Sequence, residues 1–342
     1  MNLALFLAIA GLACAETKGL VYVSGRTGVD GGSGARAQTL RALRATRLNP
    51  KRILNTTVYV TDVKHIPDVD RAYRDFFRNE FPARTVLVAG LLAPGALVEI
   101  SATATGRAIA RRIIRPSEPE SAAVEAAGTL YLSAMRPGEA AGATIEAQTE
   151  QVMKNQESVL QAAGFSFSDL VLSRIYLSEP SAYAGLNEIY RRFVTAPPPA
   201  RATIHAHPAH PGELLQIQSI AVRGSGMGRP SGAGHTSPIH SFSVKAGRRL
   251  YVTGMTGRAP DGRFAPGIRG QTRQALATIA EQLERHGLGF EDVVETTIWL
   301  RDRRDFEQMS AVYRSLVPRG ADASTVVEIP PTAKEALLAR SA

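Results

Sequence analysis

The sequence PARTVLVAGLLAPGALVEI, from Pro82 to Ile100, contains two apolar runs separated by a Pro-Gly pair. Such runs favour strands and Pro-Gly favours a turn, so the stretch predicts a strand, a loop and a second strand. Arg84 opens the first strand and Glu99 lies in the second. On adjacent antiparallel strands these side chains would converge on one pocket, where the guanidinium suits a carboxylate ligand and the Glu can orient water or move a proton. The alternative is a surface ion pair of little energetic value.

Two later stretches repeat this pattern. PARATIHAHPAHPGELLQI, from Pro199 to Ile217, places Arg201 and Gln216 at the positions of Arg84 and Glu99. ADASTVVEIPPTAKEALLAR, from Ala321 to Arg340, places Ser324 and Ala339 there. Internal repetition of this kind predicts three copies of one structural unit.

The rest of each copy follows one order of elements. An apolar strand is followed by a Gly-rich loop, a Gln-Thr pair that begins a helix, a second strand, and a second helix with one apolar stripe. The first helix of the first copy is shorter by about two turns. We therefore predict an α+β fold in which each unit is β-β-α-β-α-β-β, with both helices on one face of the sheet. The predicted units are residues 1–106, 107–224 and 235–342, with a Gly/Ser-rich linker before the third.

Composition indicates a globular protein without a disulfide framework. The chain has 342 residues, 44% hydrophobic residues, a net charge of +9 and a single cysteine, Cys14. The basic residues are scattered, and no basic stripe with interleaved aromatic residues marks a site for single-stranded nucleic acid. We expect no nucleic-acid partner and no membrane span.

The first residues allow two interpretations. Leu3 to Ala15 form an apolar run of signal-peptide length that ends in small residues, which favours export. In the other interpretation, Ala13 to Ala15 form a strand that pairs with Leu20 to Ser24, and the protein is cytoplasmic. Export is the preferred of the two.

Five segments follow one another along the chain: YVSG, a helix that begins with QT, TTVYVTD, an AYRDFF-type helix and PAR…VEI. In the order of these segments the chain resembles the Rid family of reactive intermediate deaminases, also called YjgF or L-PSP endoribonuclease-like. The resemblance covers nearly the whole chain, three times. It implies a chorismate-mutase-like fold and homotrimers with ligand clefts between subunits. A chain with three units would then close on itself as an intramolecular pseudo-trimer and remain a monomer.

The resemblance also implies an activity. The residue at the Arg84 position binds the carboxylate of a 2-imino acid, and the residue at the Glu99 position places the water that attacks the C=N carbon. The products are a 2-keto acid and ammonia, and neither a metal nor an organic cofactor is needed. Ser24 and Gly25 would line the same cleft, although Ser24 could instead cap its own turn.

Several positions depart from the family pattern. His240 and Gly11 stand where a Tyr is usual, and Gln216 can hydrogen-bond water but cannot take its proton. Arg201 and Gln216 would thus bind a substrate without efficient hydrolysis, and the third unit lacks both charged residues. The leading hypothesis is a deaminase acting at Arg84 and Glu99, and the alternative is a non-catalytic binder of small carboxylates. RNA cleavage finds little support, since no His/His or His/Lys pair recurs.

Three histidines lie close together in the second unit, at His205, His207 and His210. They occupy a strand and a Pro-rich loop without a carboxylate at a fitting spacing. Since three neighbouring histidines need not converge, we predict no metal site.

Overall fold

The computed structural model describes residues 6–7, 12–14, 19–106, 109–195, 197–225, 237, 239–317 and 323–329. They form three α+β units, each with a sheet covered on one face by two packed helices. This confirms the predicted fold class. Among the described helices, none has the length and apolar character needed to cross a membrane.

The first unit follows two short strands, β1 (Phe6–Leu7) and β2 (Leu12–Cys14). Its sheet has the order β5-β4-β7-β3, in which β4 and β5 are parallel and the other pairs are antiparallel. Helix α1 has 11 residues, whereas the corresponding helices of the later units have 19 and 18. The elements are β3 (Leu20–Thr27), α1 (Ala35–Ala45), β4 (Ile53–Val60), α2 (Ile66–Phe77), β5 (Ala83–Val88), β6 (Gly90–Leu91) and β7 (Val98–Thr105).

The second unit has the same plan with two additional strands at one edge, in the order β12-β11-β14-β10-β9-β8. Its elements are β8 (Arg111–Ile114), β9 (Ala123–Ala126), β10 (Thr129–Leu132), α3 (Ile145–Ala163), β11 (Leu170–Leu177), α4 (Tyr183–Phe193), β12 (Ala200–His205), β13 (His207–Pro208) and β14 (Leu215–Val222). Those of the third unit are β15 (Ser243–Ala246), β16 (Arg249–Val252), β17 (Met255–Thr256), α5 (Gly267–Glu284), β18 (Glu295–Leu300), α6 (Phe306–Leu316) and β19 (Ala323–Glu328).

The N-terminal strands pair with the third unit. Strand β1 pairs with β17 and β18, and β2 pairs with β16, all antiparallel. In the other units these positions belong to the last strand of the same unit, β7 or β14. The predicted pairing of Ala13 to Ala15 with Leu20 to Ser24 is therefore wrong for its described part, because β2 pairs with β16 and β3 pairs with β7.

Backbone hydrogen bonds join the units into a closed ring. Strand β13 of the second unit extends the first unit's sheet at β5, and β6 of the first unit extends the third unit's sheet at β19. The second and third units meet where the Gly254 N–H donates to the Arg201 carbonyl over 3.2 Å. One aromatic side chain from each unit packs in a shared buried cluster, Tyr59 and Tyr176 each against Trp299, with ring centroids 5.6 and 5.9 Å apart.

The glutamine of the repeated Gln-Thr pair has a structural role. The Gln148 amide donates to the carbonyls of Gly142 and Gly212, and its oxygen accepts from the Leu214 N–H at 2.7 Å. Gln38 makes the same three kinds of bond in the first unit. This side chain therefore ties the Gly-rich loop to the loop before the last strand.

We expect Gln148→Ala to lower the free energy of unfolding by about 2 kcal/mol, because three partly buried backbone groups would lose the hydrogen bonds that the buried Gln148 side chain makes. Urea unfolding followed by circular dichroism measures the change. Gln161→Ala, an exposed substitution on the same helix, is the matched control and should change stability by less than about 0.5 kcal/mol. Equal effects of the two substitutions would contradict the assigned role.

Candidate functional site

Arg84 lies at the junction of the first and second units. Its N–H donates to Ser133 Oγ over 2.9 Å, and its carbonyl accepts from the Ala134 N–H. The side chain is 5% exposed, with Nη1 2.7 Å from Asp70 Oδ1 and Nε 2.8 Å from Glu120 Oε2. Burial acts to lower the pKa of Arg84, but the two carboxylates outweigh it and raise the pKa. The charge that was predicted to bind substrate is thus neutralised within the protein.

Glu99 lies at a different junction, between the first and third units. Gly25 packs against its carboxyl group so closely that a Cβ there would overlap Glu99 Oε1. The Gly25 N–H donates to Thr325 Oγ1 over 3.0 Å, which fixes this part of β3 against the third unit. Ser24 precedes Gly25 on the same strand. Burial raises the pKa of Glu99 to about 7.

The prediction that Arg84 and Glu99 share one pocket is wrong. Strand β4 lies between β5 and β7, with Arg84 beside Thr56 and Glu99 beside Tyr59. Side chains alternate between the two faces of a sheet, so positions three residues apart on β4 mark opposite faces. Arg84 therefore lies on the helix-covered face, where it contacts Tyr73 of α2, and Glu99 lies on the face that meets the other units.

Gln216 shows how the junctions are built. Its side chain donates to the Val86 carbonyl on β5 of the first unit, so the Glu99-equivalent position of the second unit lies beside the strand that carries Arg84. Each junction thus combines the Arg position of one unit with the Glu position of another. Glu99 lies beside Tyr59 in the first unit, and Gln216 lies beside Tyr176 in the second. At the matching position of the third unit, the strand register places Phe6 beside Trp299. Ala339, the residue that sequence repetition aligned there, is outside the described residues.

Among the residues that the structure describes, no junction therefore joins an arginine to a glutamate at these two positions. The three combinations are Arg84 with Gln216, Arg201 with Phe6, and Ser324 with Glu99.

Arg201 lines a cavity of about 440 Å³ between the second and third units, which we call the Arg201 cleft. The Arg201 N–H donates to Thr253 Oγ1, and the Thr253 hydroxyl donates back to the Arg201 carbonyl. Ser133 likewise accepts from the Arg84 N–H, although its hydroxyl donates to the Ser121 carbonyl. The cleft is lined by Pro180, Tyr183, Arg201, Ala202, Thr203, His205, His240, Thr253, Gly254, Thr256 and Arg258.

The guanidinium of Arg201 differs from that of Arg84 in its partners. It is 5% exposed, and its Nε donates to Thr203 Oγ1 over 3.1 Å. Both Nη atoms are buried, and no described residue accepts a hydrogen bond from them. The rings of Tyr190 and Tyr183 lie 4.7 and 5.7 Å from the guanidinium carbon, and burial lowers the pKa of Arg201. A buried cation without an anionic partner is costly, so this arrangement indicates a place for an anionic ligand.

A second and larger cavity, of about 990 Å³, contains Glu120 and Ser133 in its wall, and we call it the Glu120 cleft. In this wall Arg136 lies 3.5 Å from Glu213, and Glu120 is the partner of Arg84. Burial raises the pKa of Glu213 to about 7. Glu120 stands at the position of His240 in the third unit, so the sequence offered a signal that this cleft had been altered.

The three histidines do not come together. His205 lines the Arg201 cleft, His207 lies on β13 against the first unit, and His210 lines the Glu120 cleft. Among the described residues no group of three or more His, Cys, Asp or Glu side chains is arranged to hold a metal ion. Sequence reasoning missed Thr253 and Arg258 in the Arg201 cleft, and it missed Asp70 and Glu120 as the partners of Arg84.

Comparison with known proteins connects these units to one family. The family model described as endoribonuclease L-PSP matches residues 11–106, 112–223 and 235–338. A RutC family protein of Saccharolobus solfataricus is 34% identical over 112 residues, 31% of this chain and 89% of the relative. The chloroplastic Reactive Intermediate Deaminase A of Arabidopsis thaliana is 30% identical over 135 residues, 37% of this chain and 72% of the relative.

Two solved structures are also similar to parts of this chain. A YjgF family member from Neisseria meningitidis is 30% identical and aligns with 34% of this chain and 97% of its own, at a TM-score of 0.32. RidA from an Antarctic Psychrobacter is also 30% identical, aligning with 30% of this chain and 88% of its own at a TM-score of 0.29. Each of these alignments covers about a third of this chain.

Proposed function

Because the chain belongs to the endoribonuclease L-PSP family, represented three times along its length, we propose that it binds a small 2-oxo or 2-imino carboxylate in the Arg201 cleft. The observation that carries this proposal is the buried Arg201 guanidinium, whose two Nη atoms have no acceptor among the described residues. A carboxylate accepts two parallel hydrogen bonds from such a fork. The matching arginine of the first unit is already paired with Asp70 and Glu120, which favours Arg201 as the ligand site.

The rest of the cleft suits a small polar ligand. The hydroxyl groups of Thr203 and Thr253 and the imidazoles of His205 and His240 line the same cavity. Tyr190 and Tyr183 pack on the guanidinium, which holds its plane in place. A fixed guanidinium loses little conformational entropy when a ligand binds, so affinity does not depend on extensive contacts.

Hydrolysis of a 2-imino acid in this cleft is the second candidate function. Relatives that bear the name reactive intermediate deaminase support deaminase chemistry at the level of the family. Water would add to the C=N carbon and ammonia would leave, giving a 2-keto acid. The strand register places Phe6 rather than a glutamate beside Trp299. Proton transfer would therefore fall to His205 or His240, and His240 Nδ1 is held 2.9 Å from Ser237 Oγ. Imidazole is suited to this step near neutral pH.

One pair of assays tests the proposal and separates the two candidates. Calorimetric titration with 2-oxobutanoate measures binding, and 2-iminobutanoate generated in situ allows keto-acid release to be followed. We expect wild type to bind 2-oxobutanoate and Arg201→Gln to bind it at least 10-fold more weakly. Acceleration of keto-acid release that is lost in His240→Gln would establish hydrolysis, and binding without acceleration would leave the binding function alone.

Glu99→Gln is the matched control for both assays. Since Glu99 lies at another junction, we expect its replacement to change neither affinity nor rate by more than about twofold. Loss of keto-acid release in Glu99→Gln with full activity in Arg201→Gln would overturn the choice of the Arg201 cleft.

A further inference from the structure

The Arg201 cleft has a second cation in its wall. Arg258 lines the cavity together with Arg201, His205 and His240, and none of the described lining residues is an Asp or Glu. The Glu120 cleft has the opposite character, because three glutamates, Glu120, Glu139 and Glu213, line it together with Arg115 and Arg136. The two clefts come from the same fold, so the difference in charge is a property of their side chains.

Arg258 is held in a defined position by its own hairpin. The Ala259 N–H donates to the Arg263 carbonyl over 2.8 Å, and the Ala265 N–H donates to the Gly257 carbonyl over 2.9 Å. Arg258 and Phe264 form a β-bridge across the hairpin, and the guanidinium carbon lies 4.7 Å from the centre of the Phe264 ring. Stacking on an aromatic ring restricts an arginine side chain without neutralising its charge. In the described part of the chain Arg258 makes no ion pair, so its charge is available to a ligand.

The size of the cavity also bears on the ligand. At about 440 Å³ the cleft lies within the range of sites for small molecules and exceeds what a three- or four-carbon acid needs. A monocarboxylate on Arg201 would leave Arg258 and the remaining volume without a partner. A ligand with two anionic groups would use both cations.

We propose that the preferred ligand of the Arg201 cleft is a small dianion, with one carboxylate on Arg201 and a second anionic group, a carboxylate or a phosphate, on Arg258. This rests on the proposed function, since it assumes that Arg201 receives the first carboxylate. Arg258 is then the residue that sets specificity for the second group. Electrostatic attraction to two cations also makes affinity fall more steeply with ionic strength than for a monoanion.

Calorimetric titration of the full chain tests this inference with three probes: 2-oxobutanoate as the monocarboxylate, 2-oxoglutarate as the dicarboxylate, and phosphoenolpyruvate as the phosphate-bearing carboxylate. We expect at least one dianion to bind about 10-fold or more tightly than 2-oxobutanoate. Arg258→Gln should remove that advantage, and it should weaken 2-oxobutanoate binding much less than dianion binding, because only the dianion places a group on Arg258. The dianion that shows the larger increase in affinity over 2-oxobutanoate identifies the second group as a carboxylate or a phosphate.

Arg263→Gln is the matched control, because Arg263 lies on the same hairpin with its side chain 86% exposed and paired with Asp261. It should leave all three affinities unchanged. Equal affinity of wild type for the mono- and dianions, or an equal loss for all probes in Arg258→Gln, would overturn the dianion inference and leave the proposed function standing. Absence of binding for every probe would overturn both.

Discussion

Arg201→Met should make the ligand-free protein more stable while weakening 2-oxo acid binding about 100-fold. Burying a cation without an anionic partner costs several kcal/mol, and the cation–π contacts with the two tyrosine rings offset about 1 to 2 kcal/mol of this cost. Methionine fills a similar volume without a charge, so we expect the free energy of unfolding to rise by about 2 kcal/mol. Urea unfolding without ligand measures the stability, and calorimetric titration measures the binding.

Arg84→Met is the matched comparison, because it makes the same substitution at the equivalent position of the first unit. Here the arginine has two anionic partners, and its loss leaves Asp70 and Glu120 mutually repulsive and partly buried. We expect a fall of about 3 kcal/mol in the free energy of unfolding. If both substitutions lowered stability equally, Arg201 would have a structural partner and the proposed ligand site would be wrong.

These opposite roles of two equivalent arginines could not be predicted from the repeated motif. The sequence does predict three α+β units, the strand–helix–strand–helix–strand order that all three share and the buried aromatic stripe of the second helices, because hydrophobic periodicity and repetition are local signals. Tyr73 and Tyr190 are both buried on that stripe, as expected. Whether an arginine is paired depends on residues such as Asp70 and Glu120, which come from other elements.

The prediction that Arg84 and Glu99 share one pocket was wrong because of the order of the strands in the sheet. Two strands joined by a short loop usually pair as a hairpin, but here β4 enters between β5 and β7. The parallel β4–β5 pair uses the helix α2 as its connection, which a motif read along the chain does not reveal. The participation of Phe6 in the third unit's sheet was equally hidden, because it depends on the closure of the ring.

Glu99→Gln should stabilise the protein at alkaline pH and have little effect under acid conditions. Burial at the junction with the third unit raises the pKa of Glu99 from 4.5 to about 7, whereas the unfolded chain keeps the ordinary value. Below about pH 4.5 Glu99 is protonated in both the folded and the unfolded protein, so its ionisation does not change the free energy of unfolding. As pH rises to 7 the unfolded chain ionises first, so stability falls by about 1.4 kcal/mol per pH unit and by about 3 kcal/mol in total.

Glutamine cannot ionise, so the gain in unfolding free energy of Glu99→Gln over wild type should grow between pH 4.5 and 7 and stay constant above. Urea unfolding at pH 4, 6 and 8 measures this difference. Affinity for 2-oxobutanoate should remain unchanged, because Arg201 lies at another junction. Loss of keto-acid release in Glu99→Gln would show that Glu99 is catalytic, whereas a stability difference that stayed constant from pH 4 to 8 would contradict the raised pKa.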